Sequence, residues 1–249
     1  MQEIWESYMK PIEGRPAMVA FNAEATDSAS AGEFGVLGYV KVRLRFPTGK
    51  GFVDDAESDG LGFIEDQLEM EALRYRIGKY VGRILSNGEV HFIFYLRYDF
   101  EWSDVVGEAM RHFPQYGYEC GSRMDTEWEV YRNLLSPTER EWQMIHNHRT
   151  CDRLRAGGDD LQQRRAIEHR AFFETSEGRR NFASAIAEEG FSIQGELSPT
   201  KERPWFGLQF YRIDSPHYYD IDALTLSLIE LGVRFGGQYD GWETSLVRS

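Results

Sequence analysis

Apolar and polar positions alternate over "GYVKVRLRF", residues 38–46, where Val40, Val42, Leu44 and Phe46 share one side. A period of two predicts a half-buried strand. The period then changes. Leu61, Ile64, Leu68 and Ala72 fall three or four apart, the spacing of one helical face. "KYVGRIL" and "EVHFIFYLRY" flank Asn87-Gly88 and predict a hairpin. Trp102, Val105, Val106, Ala109, Met110 and Phe113 give a second helix, and "YGYECGSRM" (116–124) a closing strand. Two short candidate strands, around Trp5–Tyr8 and Pro16–Asn22, come before this βαββαβ run.

The second half repeats the order. "RRAIEHRAFF" reads as a strand. "SEGRRNFASAIAEEG" reads as a helix with Ser176 as N-cap and Gly190 as its stop. "FSIQGEL" and "WFGLQFYRI" form a hairpin across "SPTKERP". Ile221, Leu224, Leu228, Leu231 and Phe235 mark a last helix, and "GQYDGWETSLV" the final strand. The repeat is one of element order, with little residue identity. The expected fold is α+β: two tandem ferredoxin-like (βαββαβ) sandwiches, residues 1–135 and 136–249, with a linking helix at 137–156 leading the second. That helix starts at Ser136-Pro137 with Glu139 and ends at Gly157-Gly158. Its apolar positions Trp142, Ile145 and Leu154 are sparse, which predicts a helix lying on a surface.

Alternation sends Phe92, Phe94 and Leu96 to one side of their strand and Ile93, Tyr95 and Arg97 to the other. One set packs on helices. The other lies on the open sheet face, where some domains of this shape stack RNA bases. Charge opposes that use. The chain carries 28 Lys+Arg and 41 Asp+Glu, a net −13. Residues 1–135 contribute −9 and residues 136–249 contribute −4. Phosphate binding needs a basic surface, so no nucleic-acid partner is expected. The open faces are then expected to pack against each other or against the linking helix.

No run of about 18 apolar residues predicts a membrane span, and "MQEIWESYMKPIEG" lacks the basic and apolar regions of a signal peptide. Two widely spaced cysteines, Cys120 and Cys151, point to a reducing cytoplasm without a disulfide framework.

"DDAESDGLGFIED" (54–66) partly matches a calcium loop, with Asp55, Glu57, Asp59, Gly60 and Asp66 at loop positions. A strand precedes it where a helix should stand, and the competing reading is an acidic helix N-terminus. "HNH" (146–148) with Cys151 offers at most half a zinc site, His148 pairing with Cys151 or Asp152, against a solvated helix surface. "PTGKGF" (47–52) is no P-loop, and no G-x-S-x-G or G-x-G-x-x-G occurs. No metal or cofactor is expected.

"GGDDLQQRRAIEHRAFF", "EEGFSI" after a helix and the terminal "YDGWETSL" resemble the RraB family, the B-type regulators of ribonuclease E activity. The resemblance covers roughly residues 137–249 and includes Gly158, Asp159, Ile167, Glu168, His169, Gly190, Phe191, Tyr239, Asp240, Gly241, Trp242 and Thr244. The N-terminal half resembles the uncharacterised bacterial domain family often fused ahead of RraB. The resemblance implies small cytoplasmic sandwich proteins that bind the ribonuclease and inhibit it without being enzymes. It departs in charge: the segment "EREWQMIHNHRTCDRLR" is mixed where the family is acidic. The expected function is non-enzymatic binding and regulation of a protein partner, with a ribonuclease as the partner implied. Asp159, Glu168, His169, Tyr239, Asp240, Trp242 and Glu243 are the candidate contacts. The alternative is an enzyme or small-ligand binder using a cleft between the two domains.

The "YDGW" stretch poses the sharpest structural question. Strict alternation puts Tyr239, Gly241 and Glu243 on one side and Asp240, Trp242 and Thr244 on the other, unless Gly241 sits at a bulge. A buried reading has Trp242 in the core and Asp240 capping local N–H groups. An interface reading has Trp242 partly exposed as an anchor.

Overall fold

The computed structural model describes residues 4–26 and 32–248. The chain divides into two compact units, residues 1–138 and 139–249. It is an α+β protein with one six-stranded and one four-stranded sheet, both antiparallel throughout. Among the described residues, no helix is long and apolar enough to cross a membrane.

The first unit runs β1 (Trp5–Ile12), β2 (Arg15–Asn22), β3 (Val36–Arg43), α1 (Asp55–Arg74), β4 (Gly78–Ser86), β5 (Glu89–Leu96), α2 (Trp102–Met110) and β6 (Tyr118–Met124). The sheet order is β1-β2-β4-β5-β3-β6. Asn87 (φ 54°) and Gly88 (φ 79°) make the β4–β5 turn in the left-handed conformation that two-residue hairpins require. Phe92, Phe94 and Leu96 meet Leu61, Ile64 and Leu68 of α1 and Val105, Val106 and Ala109 of α2 in one core.

On the other face of this sheet, the part around Ile93 and Tyr95 is covered by the unit's own chain, while Tyr39 and Arg43 stay exposed. Residues after β6 fold back over it. Trp128 stacks on Tyr95 with ring centroids 3.8 Å apart, and its indole N–H donates to Phe34 O at 2.8 Å. Asp125 accepts from Tyr95 Oη (2.6 Å) and from the backbone N–H groups of Glu129 and Val130. A π-helical turn at Tyr131–Leu135 follows, and Tyr131 Oη donates to Asn22 O at 2.7 Å. Tyr95, Ile93 and Leu135 are all buried in consequence.

The second unit runs α3 (Glu139–Ala156), β7 (Arg165–Phe173), α4 (Ser176–Glu188), β8 (Ser192–Leu197), β9 (Phe206–Asp214), α5 (Tyr218–Arg234) and β10 (Gly237–Thr244), with sheet order β10-β7-β9-β8. In both βαββαβ runs the last strand therefore lies beside the first, then the third, then the second. The N-cap of α4 is Thr175, whose hydroxyl accepts from Gly178 N, one residue before the expected Ser176. Helix α3 packs on α5 through Ile145, Asn147 and Cys151, so a polar residue holds a core position that apolar periodicity does not reveal.

Candidate functional site

Strand β10 pairs with β7, and the register slips between Tyr239 and Gly241. Tyr239 faces Ala171, Gly241 faces Arg170, Trp242 faces His169, Glu243 faces Glu168, and Asp240 is the extra residue. Gly241 has φ 121°, a backbone conformation that side chains disfavour. Strict alternation is thus broken. Tyr239 and Trp242, opposed in an unbulged strand, now both face the helices, where they pack on the core formed by Ile167, Ala171 and Phe210.

His169 lies at the centre of this arrangement. Its Nδ1 is hydrogen-bonded to Tyr239 Oη at 2.8 Å, and its ring stacks on Phe210 and meets Phe191 edge-on. It is 3% exposed. Burial pushes its pKa down to about 3, so the ring is neutral at physiological pH. The same burial, with Asp240 near by, holds the Tyr239 phenol well above its ordinary value. Among the described residues, His169 Nε2 has no hydrogen-bond partner.

Trp242 is half-buried, and its indole N–H donates to Asn147 Oδ1 of α3 at 2.8 Å. Asn147 in turn donates to Asp222 Oδ1 and Thr225 Oγ1 of α5, each at 2.8 Å. The second oxygen of Asp222 meets His148 Nε2, also at 2.8 Å. His148 therefore pairs with Asp222 on another helix, correcting the expected partners Cys151 and Asp152. That hydrogen bond raises the His148 pKa. Cys151 is buried, its thiol donates to Pro216 O, and desolvation pushes it up to about 12, which suits neither a nucleophile nor a metal ligand. Asp152 accepts from Tyr218 Oη at 2.5 Å.

The seven candidate residues divide into two sets. The side chain of Asp159 is fully buried: one oxygen pairs with Arg165 Nη2 and the other accepts from Val247 N, both at 2.7 Å. Asp159, His169, Tyr239 and Trp242 hold the unit together from within. Glu168, Asp240 and Glu243 are exposed. They line a shallow depression of about 110 Å³ with Arg170, Gln194 and Gln209, beside the bulge. Arg170 bridges to Glu243 at 3.2 Å, relieving the repulsion between Glu243 and its cross-strand partner Glu168. Among the described residues no backbone group donates to Asp240, which lies 3.9 Å from Arg203. Asn147, Asp222, Thr225 and Arg165, which complete the inner set, carried no sequence signal, because a buried polar residue looks like a surface one in a hydropathy pattern.

The calcium-loop reading fails. Asp54 caps α1 through Ala56 N, and Asp55, Glu57, Asp59 and Asp66 all lie on α1, so no loop encircles an ion. Glu57 is turned inward and accepts from the backbone of Arg45 and Phe46. Among the described residues, no group of His, Cys, Asp or Glu could hold a metal.

Residues 3–136, the whole first unit but for its ends, match the family model for DUF695, described as a family of unknown function. The chain belongs to DUF695. In this DUF695 chain, residues 144–244 match a second family model, regulator of ribonuclease activity B. That match runs from within α3 to the end of β10 and so takes in Asn147, His169, Asp222 and Trp242. No curated protein matches the chain. A solved structure, "Crystal Structure of an Unknown Protein from Galdieria sulphuraria", is 11% identical over 85% of this DUF695 chain and 98% of its own length, with a TM-score of 0.21.

Proposed function

We propose that the protein is a non-enzymatic regulator that binds a ribonuclease of the RNase E type in the cytoplasm and lowers its activity by direct contact. The observation that carries this reading is the match of residues 144–244 to the regulator family. The strand order of each βαββαβ run supports assigning both units to the ferredoxin-like class. In the second unit the sheet face opposite the helices supplies the contact, through Glu168, Asp240 and Glu243 around the depression at the bulge. The buried set beneath them favours a rigid surface, which lowers the ordering cost of binding. The net charge supports a basic protein segment as the partner and opposes RNA.

The test combines the purified chain with an RNase E-type ribonuclease and a fluorogenic single-stranded RNA. Cleavage should slow in proportion to complex formation. A Glu168→Lys/Asp240→Lys/Glu243→Lys variant should fold normally and lose the effect. Absence of both binding and inhibition at saturating concentration would overturn the proposal. So would inhibition that tracks binding of the chain to the RNA itself.

A further inference from the structure

Helix α1 buries Leu61, Ile64, Leu68 and Ala72 against the first sheet. On its opposite side, where a solvated helix ordinarily carries charge alone, stand three large apolar side chains. Phe63 is 64% exposed, Met70 51% and Leu73 72%. At 100° per residue, Phe63 and Met70 lie almost in line, and Leu73 extends the row by a further turn. Isolated exposed apolar residues need no explanation, but three large ones on one helix face suit a contact surface. Asp59, Asp66 and Glu69 are exposed along the same face. The helix carries seven carboxylates against one base, Arg74, which is already paired with Glu71.

We propose that this face of α1 docks a basic amphipathic helix of a partner protein. The row spans about ten residues, roughly 15 Å, the length of three helical turns. Its spacing is that of a helix–helix seam in which Phe63, Met70 and Leu73 alternate with Asp59 and Asp66, so that a facing helix sets apolar side chains against the first three and Lys or Arg against the carboxylates. Charge excludes the other occupants. Phosphates of nucleic acid or of an anionic membrane would meet Asp59, Asp66 and Glu69. A second copy of the chain in a twofold contact would set this acidic face against itself. The surface belongs to the first unit and is independent of the ribonuclease-binding face proposed for the second.

The test uses fluorescence anisotropy of the full chain with a labelled synthetic Leu/Lys peptide of about 18 residues in amphipathic helical spacing. Micromolar binding is expected at low salt, weakening as salt rises. Phe63→Ser/Met70→Ser and, separately, Asp59→Lys/Asp66→Lys should each weaken it about tenfold or more, with unchanged melting curves, since all four side chains are exposed. A scrambled peptide of the same composition should bind at least about tenfold more weakly. The Glu168→Lys/Asp240→Lys/Glu243→Lys variant should bind the peptide as the parent does. Equal binding by parent and both α1 variants would overturn the inference. A concentration-dependent dimer in sedimentation that Phe63→Ser abolishes would overturn it in favour of self-association.

Discussion

The indole N–H of Trp242 donates to Asn147 Oδ1, tying the last strand to a helix 95 residues earlier in the chain. The bond lies in a part-buried region, and Asn147 is itself wholly buried. Asn147→Leu should therefore cost about 2–4 kcal/mol, because it leaves the Trp242 indole N–H and Asp222 Oδ1 without their Asn147 partner. Trp242→Phe keeps most of the apolar contact and should cost about 1–2 kcal/mol. The double variant should cost less than the sum of the two, as for any pair in contact. Urea denaturation of the four proteins measures the coupling.

His169 and Tyr239 allow a related experiment with the opposite logic. Tyr239→Phe leaves the buried imidazole without its one protein partner and should cost about 1–3 kcal/mol. Adding His169→Phe removes the stranded group and should recover a large part of that loss. If the double variant is less stable than Tyr239→Phe alone, the imidazole contributes more through packing than through its hydrogen bond.

The two histidines give stability opposite dependences on pH. His169 has a folded pKa depressed to about 3. Its contribution is complete above the unfolded value of about 6.5 and is lost as pH falls toward 3, amounting to roughly 5 kcal/mol at most. His148 has a folded pKa raised by Asp222, so its contribution is complete below about 6.5 and fades as pH rises through the raised value. His148→Gln should flatten the alkaline side of the stability profile near neutrality. His169→Phe in the Tyr239→Phe background should flatten the acid side. Thermal melts across pH 4–8 separate the two.

Asp159→Asn should be among the most damaging conservative changes in the second unit. It leaves Arg165, whose side chain is 7% exposed, without its anion and loosens the bond to Val247 N. A loss of about 3–5 kcal/mol is expected, as for breaking a buried pair on one side. A change under about 1 kcal/mol in chemical denaturation would show that water reaches Arg165.

The alternation of Val40, Val42 and Leu44, the Asn87-Gly88 turn and the α1 and α5 stripes were legible, because backbone geometry imposes those periods whatever the tertiary context. The cover over the first sheet was not. Asp125–Leu135 has no period of two or 3.6, and its role depends on Trp128 reaching a tyrosine three elements earlier. The acidic run at 54–66 was ambiguous for a related reason: carboxylates at a helix N-terminus and in a calcium loop have similar spacing, and only the backbone path separates them. At the last strand, the sequence left a bulge at Gly241 open, and which way Tyr239 and Trp242 point depends on their pairing with β7. The inner set was illegible because Asn147, Asp222 and Thr225 are polar residues that become core residues only as a group.

The covering segment of the first sheet also bears on biosynthesis. During translation the first five strands of that sheet leave the ribosome well before Trp128, Tyr131 and Leu135. Until those residues emerge, the ring of Tyr95 has only solvent on its outer side. Domains fold as units, N-terminal first, so the nascent first unit reaches completion only when about 135 residues are free, and a chain stopped after Met124 would present a sticky aromatic sheet to chaperones and to its neighbours.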